Sequence, residues 1–363
     1  MTKKKLIFII PTLDVGGAEK VTMNILRKMD ASRNQIKLIV LDGNGPLKNI
    51  VPKHVELIVV SSKRLRYAMF EISRLLVKNR PDYIFSTIGH LNLALIFIKR
   101  VLLLKSKIII REASTPSKYL GRMNRINSMI YYKLYRYLYP QADKIVAQCD
   151  SMKKDLVENM GIPISKIVRI YNPIDIEDIK NKADEYYPRE YNINTINIIS
   201  VGRLVEAKGY DTLLKAFKIL VENNDSLLHL YIVGEGPKKV ELTDLSKNLK
   251  ISDKVSFLGF MENPYPYIKS ADLFVLSSKW EGFPNTLLEA LACGKKVVAT
   301  DCESGPKEIL GEEQYGLLAN VDDPLSLSEK IKNYLSIENK NGNRAEDFNI
   351  QKIIKQYEML FRQ

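Results

Sequence analysis

Short apolar runs alternate with helical patterns along the whole chain of 363 residues. This alternation is typical of βαβ units that build a parallel sheet, and it predicts an α/β fold. The strands form two series, separated by a polar stretch. The first series is expected at residues 5–11, 36–41, 55–59, 83–87, 107–111 and 144–147. The second series is expected at residues 196–201, 229–233, 255–257, 273–276 and 296–299.

The two series predict two Rossmann-like domains, since 363 residues with 45% hydrophobic content exceed the usual size of one domain. We expect an N-terminal domain at residues 1–173, a linker at 174–194 and a C-terminal domain at 195–348. A final helix at about 349–363 could pack against either domain, and we expect it to cross back to the N-terminal domain. No membrane span is expected, because Lys99 and Arg100 interrupt the longest apolar segment.

Charge is distributed unevenly along the chain. The net charge is +13, and residues 1–150 contain 27 Lys and Arg against 10 Asp and Glu. A field of this kind suits nucleic acid, anionic lipid or a phosphorylated substrate. Three cysteines without a CxxC pair argue against a disulfide framework or a cysteine-rich zinc site, so we expect a reducing, cytoplasmic location.

Two turns that follow predicted strands carry candidate phosphate-binding groups. Gly16 and Gly17 lie between the first strand and a helical pattern, where backbone N–H groups can approach a phosphate or simply close the turn. Arg203 and Lys208 lie on the loop that follows the first strand of the second series. They can converge on one diphosphate, or they can be two ordinary cations of a solvated loop.

Two carboxylates flank the start of a helix in the second half. Glu281 follows the strand at 273–276, and Glu289 lies within the helix that begins near Asn285. Carboxylates in these positions can accept hydrogen bonds from sugar and ribose hydroxyls, whereas the alternative treats them as a loop charge and a helix-face charge. The free N–H groups at the helix start suit an outer phosphate.

The run from Trp280 to Gly294 resembles the signature of glycosyltransferase family 4, in which seven residues separate two glutamates. The turn at 16–19 and the loop at 201–209 occur where that family has its other phosphate-binding elements. Residues 111–116 and 139–143 resemble the corresponding segments of bacterial enzymes that extend undecaprenyl-diphosphate-linked oligosaccharides. The resemblance is greatest to the α-N-acetylgalactosaminyltransferases of N-glycan assembly. The resemblance covers nearly the whole chain in the right order.

The resemblance implies a GT-B fold, in which two Rossmann-like domains face each other across a cleft. It implies retaining transfer of a hexose or N-acetylhexosamine, GalNAc being the first choice, from a UDP-sugar to a polyprenyl-diphosphate-linked glycan. No cofactor or metal is expected, and no Asp-x-Asp motif follows a predicted strand. The protein would be peripheral on the inner face of the bacterial plasma membrane.

The resemblance also assigns roles to residues. Arg203 and Lys208 would bind the donor diphosphate, with Gly16 and Gly17 opposite, and Glu281 would hold the transferred sugar. The remaining donor contacts implied are Gly282, Phe283, Pro284, Asn285, Thr286, Leu287 and, for the ribose, Glu289. Glu112 stands near the position where many family members have a histidine, and it completes the expected catalytic set of Glu281, Arg203, Lys208 and Glu112.

A basic, aromatic stretch at residues 117–140 is a candidate for contact with an anionic membrane or with the acceptor. The alternative is an ordinary amphipathic helix that packs on its own sheet. A second candidate stretch runs from Lys63 to Arg80. The candidate acceptor or membrane residues are His90, Arg111, Lys118, Arg122, Arg125, Tyr132, Lys133 and Arg136.

Three other functions compete with this hypothesis. A nicotinamide-dependent oxidoreductase is disfavoured because the first turn lacks the G-x-G-x-x-G pattern. The basic first half leaves a nucleic-acid-binding protein as an alternative, although no nucleic-acid partner is expected. A catalytically silent assembly protein is the third possibility.

Overall fold

The structure, a computed structural model, describes residues 3–62, 64–223, 227–339 and 342–362. The chain divides into a first unit, Met1–Pro173 with Ile350–Gln363, and a second unit, Ile174–Asn349. Lys63, where the second candidate membrane stretch begins, lies outside the described residues.

In the described part of the first unit, seven parallel strands form one sheet in the order β3-β2-β1-β4-β5-β6-β7. The strands are β1 (Lys4–Thr12), β2 (Asn34–Asp42), β3 (Val55–Val59), β4 (Tyr83–Ser86), β5 (Lys107–Arg111), β6 (Lys144–Ala147) and β7 (Ile167–Arg169). The helices before the second unit are α1 (Gly17–Lys28), α2 (Leu65–Asn79), α3 (Gly89–Val101), α4 (Pro116–Gly121), α5 (Arg125–Leu138) and α6 (Asp150–Glu158). Short 3-10 helices occur at Pro46–Ile50, Tyr139–Gln141 and Ile164–Lys166.

In the described part of the second unit, six parallel strands form a sheet in the order β10-β9-β8-β11-β12-β13. The strands are β8 (Ile196–Val201), β9 (Leu228–Val233), β10 (Val255–Gly259), β11 (Leu273–Leu276), β12 (Lys296–Thr300) and β13 (Leu317–Ala319). The helices are α7 (Ile176–Ala183), α8 (Tyr210–Glu222), α9 (Lys239–Asn248), α10 (Tyr265–Ser270), α11 (Asn285–Ala292), α12 (Pro306–Ile309) and α13 (Pro324–Leu335). Short 3-10 helices occur at Glu206–Lys208, Ser252–Lys254 and Arg344–Phe348.

The last helix, α14 (Ile350–Leu360), packs into the core of the first unit. Its apolar side chains recur at helical spacing, so one face can be buried. Phe361, just beyond its end, lies 5.8 Å from the ring of Phe8 on β1, and Tyr357 lies 6.0 Å from Phe85 on β4. The structure thus packs this helix against the sheet of the first unit.

The structure differs from the expected local structure in one predicted linker and two additional strands. The stretch expected as a linker contains α7, which begins after Asp175 caps the backbone N–H of Asp178. Ile176 and Ile179 of α7 are buried in the second unit, so this stretch is part of a folded layer. The strands β7 and β13 were missed, because three residues are too few to show a clear period.

Each sheet reverses its strand order at one place. In the first unit, β1 lies between β2 and β4, so the connections diverge from the β1/β4 pair. In the second unit the corresponding pair is β8 and β11. Ligands of open α/β sheets bind outside the carboxyl ends of the strands at such switch points. Ligand-binding residues are therefore expected at these two edges.

Candidate active site

Two loops meet at the carboxyl ends of β8 and β11. The N–H of Lys279 donates to the carbonyl of Ala207 at 2.8 Å, and the Ser277 hydroxyl donates to the carbonyl of Lys208 at 2.8 Å. Gly209 has φ +58°, and a Cβ at this position would lie 2.1 Å from the carbonyl oxygen of Ser277. A glycine is therefore required, both for the left-handed backbone and for the close approach of the loops.

Lys208 and Glu281, predicted from separate motifs, form an ion pair at this junction. The Lys208 Nζ lies 2.6 Å from Glu281 Oε1, and the Ser278 hydroxyl donates to the same oxygen at 2.6 Å. The two charged side chains are only 20% and 11% exposed. Partial burial strengthens their attraction compared with a surface pair, because less water screens the charges. The carboxylate is thus fixed, while Oε2 accepts no hydrogen bond from the described residues.

Arg203 extends into solvent from the loop that follows β8. Its side chain forms no hydrogen bond or ion pair with any residue that the structure describes. The loop itself is fixed from below, because the N–H of Leu204 donates to the carbonyl of Glu235 at 2.9 Å. At Gly234, with φ +144°, a Cβ would lie 2.0 Å from the carbonyl oxygen of Gly202. A fixed backbone therefore presents a free guanidinium.

The loop that follows Glu281 leads directly into α11. Pro284 is the N-cap residue of α11, and no side chain caps this helix end. Gly305, with φ +112°, supports the loop so closely that a Cβ would lie 2.6 Å from the Cδ of Pro284. Phe283 is buried, with its ring 5.9 Å from that of Phe348. Packing therefore fixes the start of α11, where N–H groups and the helix dipole favour an anion.

Glu289 lies inside α11 and is only 5% exposed. Tyr265 of α10 donates to its Oε1 at 3.4 Å, and burial together with this carboxylate raises the pKa of Tyr265. The hydroxyl oxygen of Thr286, one turn earlier, is buried without a hydrogen-bond partner among the described residues. Glu289 presents little surface, and its contact with a ribose stays a prediction.

Gly16 and Gly17 lie between β1 and α1, at the carboxyl edge of the first unit. A carboxylate already lies at this helix end, because a Cβ on Gly16 would be 2.1 Å from Oε2 of Glu19. A larger residue at position 16 would have to displace this flexible carboxylate. A phosphate contact of this turn stays a prediction, and Glu19 would compete with it.

Glu112 is a buried carboxyl group directly after β5, only 2% exposed. Its Oε1 accepts hydrogen bonds from the hydroxyl of Tyr139 and, at 3.2 Å, from the amide of Asn92. Burial raises the pKa of Glu112 to about 7, although these two hydrogen bonds and Arg111 oppose the shift. A Cβ on Gly89 would lie 3.7 Å from its Oε2. A catalytic role for Glu112 stays a prediction.

Arg111 points to the opposite face of the same sheet, because neighbouring side chains of a strand alternate. Its guanidinium donates to the Thr87 hydroxyl at 2.7 Å and to the Asn172 side chain at 2.5 Å, and burial lowers its pKa. Arg111 is 1% exposed. The expectation of a membrane contact for Arg111 is therefore wrong, since the side chain is enclosed by protein.

The other candidate acceptor or membrane residues lie at the surface of the first unit. His90 is exposed at the start of α3, beside the carboxyl end of β4. Tyr132 is half-buried, and its hydroxyl donates to the carbonyl of Asn159 at 3.0 Å. The exposed cations of α4, α5 and their connection are Lys118, Arg122, Arg125, Lys133 and Arg136. Their contact with lipid or acceptor stays a prediction.

The described residues contain neither a membrane-spanning helix nor a cluster of metal ligands. No helix in the described ranges has the length and apolar character needed to cross a bilayer. Within the same ranges, no group of three or more His, Cys, Asp and Glu side chains is placed to hold a metal ion. Metal independence of the reaction stays a prediction.

Comparison with known proteins decides the family. The sequence model of Glycosyltransferase Family 4 matches residues 15–178, and that of Glycosyl transferases group 1 matches residues 187–351. A Campylobacter jejuni protein is 32% identical over 97% of this chain and 98% of its own length. The chain belongs to glycosyltransferase family 4.

The Campylobacter relative of this family 4 enzyme is an N-acetylgalactosamine-N,N'-diacetylbacillosaminyl-diphospho-undecaprenol 4-alpha-N-acetylgalactosaminyltransferase. The amylovoran biosynthesis glycosyltransferase AmsD of Erwinia amylovora is 25% identical over 86% of this chain and 85% of its own. The crystal structure of Anabaena HepE in complex with UDP-glucose superposes with a TM-score of 0.82 at 18% identity, covering 99% of this chain and all of that one. This likeness and the two parallel sheets identify the GT-B fold.

Several residues of the candidate site were not predicted from the sequence. Ser278 donates a hydrogen bond to Glu281. Cys302 is buried, and burial together with the nearby Glu281 carboxylate raises the pKa of its thiol. Asn92 and Tyr139 bind Glu112. Ser278 stands three residues before Glu281, so this spacing was a usable signal. Asn92 and Tyr139 are 20 and 27 residues from Glu112, and only the fold brings them together.

Proposed function

We propose that this glycosyltransferase retains the anomeric configuration and transfers an N-acetylhexosamine or hexose, with GalNAc as the first choice, from a UDP-sugar to a lipid-diphosphate-linked glycan. The reaction would take place at the cytoplasmic face of an anionic membrane and would need no metal. The donor site would lie in the second unit, at the carboxyl ends of β8 and β11.

The observation that carries the donor assignment is the ion pair of Lys208 with Glu281 beside the start of α11. Two cations, Lys208 and Arg203, and an uncapped helix N-terminus are what a diphosphate requires. The fixed Glu281 carboxylate offers Oε2 to a sugar hydroxyl. Cation, carboxylate and helix end thus match the diphosphate, the sugar and the outer phosphate of one nucleotide sugar.

During the transfer, negative charge would build up on the leaving diphosphate, beside Lys208 and Arg203. The bond between the anomeric carbon and the diphosphate oxygen breaks, and the electron pair leaves with the diphosphate. The acceptor oxygen bonds to the anomeric carbon on the same face, and its proton passes to the leaving diphosphate. Lys208 and Arg203 would stabilise the charge that builds there, and loss of either should lower the rate by about 10²- to 10³-fold, as loss of an oxyanion donor does.

The choice of GalNAc and of a lipid-linked acceptor is supported by the name of the Campylobacter relative. The sequence match to that relative covers nearly the whole of both chains. The choice of UDP follows from the resemblance to family 4. A polyprenyl diphosphate is anionic and lies at a membrane surface, so the basic first half of the chain suits it electrostatically.

An exposed apolar stripe on α5 supports membrane contact. Its members are Ile126, Met129, Ile130, Leu134 and Tyr137, which are 68%, 55%, 48%, 38% and 62% exposed. On the other face of α5, Tyr135 and Leu138 are buried, so the helix packs on its own unit and still presents a second apolar face. An ordinary amphipathic helix that packs on its own sheet would not need this second apolar face.

The neighbouring helices extend the same character. α3 packs against both α2 and α5. Phe70 of α2 and Leu103, just after α3, are 72% and 85% exposed. The described parts of α2, α3 and α5 together contain eight Lys and Arg against the single acidic residue Glu71. Apolar side chains among cations are suited to an anionic lipid surface.

The experiment that tests the proposal measures donor hydrolysis and transfer with a panel of UDP- and GDP-sugars and undecaprenyl-diphosphate-linked acceptors in detergent. Natural protein, Glu281→Ala and Arg203→Ala are compared, with and without EDTA. Lys218→Ala is the matched control, because Lys218 forms a surface ion pair with Glu222 on α8, 2.9 Å apart.

We expect turnover of UDP-GalNAc that persists in EDTA, survives in the Lys218→Ala control and is lost in both site variants. Turnover of another nucleotide sugar would change the assigned donor but not the assigned site residues. Site variants as active as the control would show that the donor site is wrongly assigned.

A further inference from the structure

Ser278 is a fully buried serine two residues after the end of β11, and its hydroxyl is directed at the carboxylate of Glu281. The hydroxyl donates to Oε1 at 2.6 Å, and the ammonium of Lys208 lies 2.6 Å from the same atom. One carboxylate oxygen therefore has two donors, one neutral and one charged. The neutral donor comes from the loop that carries Glu281, and the charged donor comes from the loop after β8.

The position of Ser278 is itself fixed by the sheet. Its carbonyl accepts a hydrogen bond from the hydroxyl of Thr300 at 2.5 Å, at the end of the neighbouring strand β12. This contact holds the backbone of Ser278, whose short side chain has a single rotatable bond, whereas the long side chain of Lys208 can turn about its four methylene groups. The two donors on Oε1 thus differ in freedom.

We propose that Ser278 is a positioning residue that keeps the Glu281 carboxylate in place when the donor draws Lys208 towards its diphosphate. This inference rests on the proposed function, in which Lys208 binds the diphosphate and Glu281 binds the sugar. A diphosphate carries more negative charge than a carboxylate, so it competes for the ammonium. Ser278 then remains on Oε1, and Oε2 keeps its direction towards the sugar hydroxyl.

The inference predicts different effects on the free and the donor-bound protein. Without donor, Glu281 keeps its ion pair with Lys208, so Ser278→Ala should leave the melting temperature close to that of the natural protein. With donor bound to Ser278→Ala, Lys208 has turned to the diphosphate and no serine hydroxyl holds the Glu281 carboxylate. The kcat/KM of this variant for the nucleotide sugar should therefore fall about ten- to a hundredfold. Ser278→Thr, which keeps the hydroxyl, should restore most of this loss.

The experiment measures kcat, KM and thermal unfolding for Ser278→Ala, Ser278→Thr and the control Ser328→Ala. Ser328 is also a buried serine of the second unit, and its hydroxyl donates to the carbonyl of Leu325 at 2.8 Å on α13. Because an added methyl group can overpack a buried site, the decisive measurement is a double-mutant cycle. Ser278→Ala is introduced into Glu281→Ala, and donor affinity is measured by calorimetry in all four proteins.

If Ser278 acts through Glu281, the Ser278→Ala effect on donor affinity disappears in the Glu281→Ala background. An equal loss in both backgrounds would show a purely structural role and overturn the inference. Ser278→Ala with natural kinetics, beside an inactive Glu281→Ala, would overturn this inference alone. Natural activity in Glu281→Ala would refute the proposed function and the inference with it.

Discussion

The buried carboxyl group of Glu112 should make the first unit less stable as the pH rises. Its pKa is about 7 in the folded protein, against an ordinary value of 4.5. The folded state therefore binds more protons than the unfolded state between these two pH values. Stability is lost as the pH rises through this window, because the unfolded carboxyl group ionises first.

The expected magnitude follows from the two pKa values. The full difference between 4.5 and about 7 corresponds to about 3 kcal/mol, and about 2 kcal/mol of it falls between pH 5 and pH 8. Glu112→Gln removes the titration and keeps an oxygen that can accept from Tyr139. The variant should therefore gain about 2 kcal/mol on the natural protein over this range.

Urea unfolding followed by hydrogen exchange of peptides from β5 would report on the first unit separately, since the chain has two units. Glu71→Gln is the control, because hydrogen bonds from Ser61 lower the pKa of Glu71 and leave it ionised throughout. Tyr139→Phe removes a hydrogen bond that favours the ionised form and so raises the folded pKa further, which should extend the loss of stability to higher pH. A constant difference between Glu112→Gln and the natural protein at every pH would refute the reasoning.

Two other substitutions test the geometry of the proposed donor loops and the proposed membrane face. Gly209→Ala should destabilise the second unit by more than Gly294→Ala in calorimetry, because both have positive φ but only Gly209 faces a nearby atom, the carbonyl oxygen of Ser277. Equal losses would mean that the loops can separate at little cost. Ile126→Glu on α5 should weaken binding to anionic vesicles at least tenfold and leave donor hydrolysis unchanged, because a charge replaces an exposed apolar side chain. Ile164→Glu, at a site that is 63% exposed and outside α2, α3 and α5, is its control, and equal effects of the two would refute a specific membrane face.

Local patterns were sufficient to predict the strands of both sheets. The expected strands agree with the structure to within one or two residues, apart from the missed β7 and β13. Buried parallel strands appear as continuous apolar runs, and such runs can be recognised without knowing what they pack against. The motifs at 201–209 and 280–294 were visible for the same reason, because each is a single loop between a strand and a helix.

The tertiary structure decided what depends on contacts between distant residues. Lys208 and Glu281 are 73 residues apart, and only the pairing of β8 with β11 brings them to one oxygen atom. The burial of Arg111 depends on Thr87 and Asn172, which no local pattern connects with it. The partner of α14 likewise follows from an apolar face that fits the first sheet. The sequence by itself thus determined the class, the family and the motifs, whereas burial and partners were fixed by the fold, because both depend on neighbours remote in the chain.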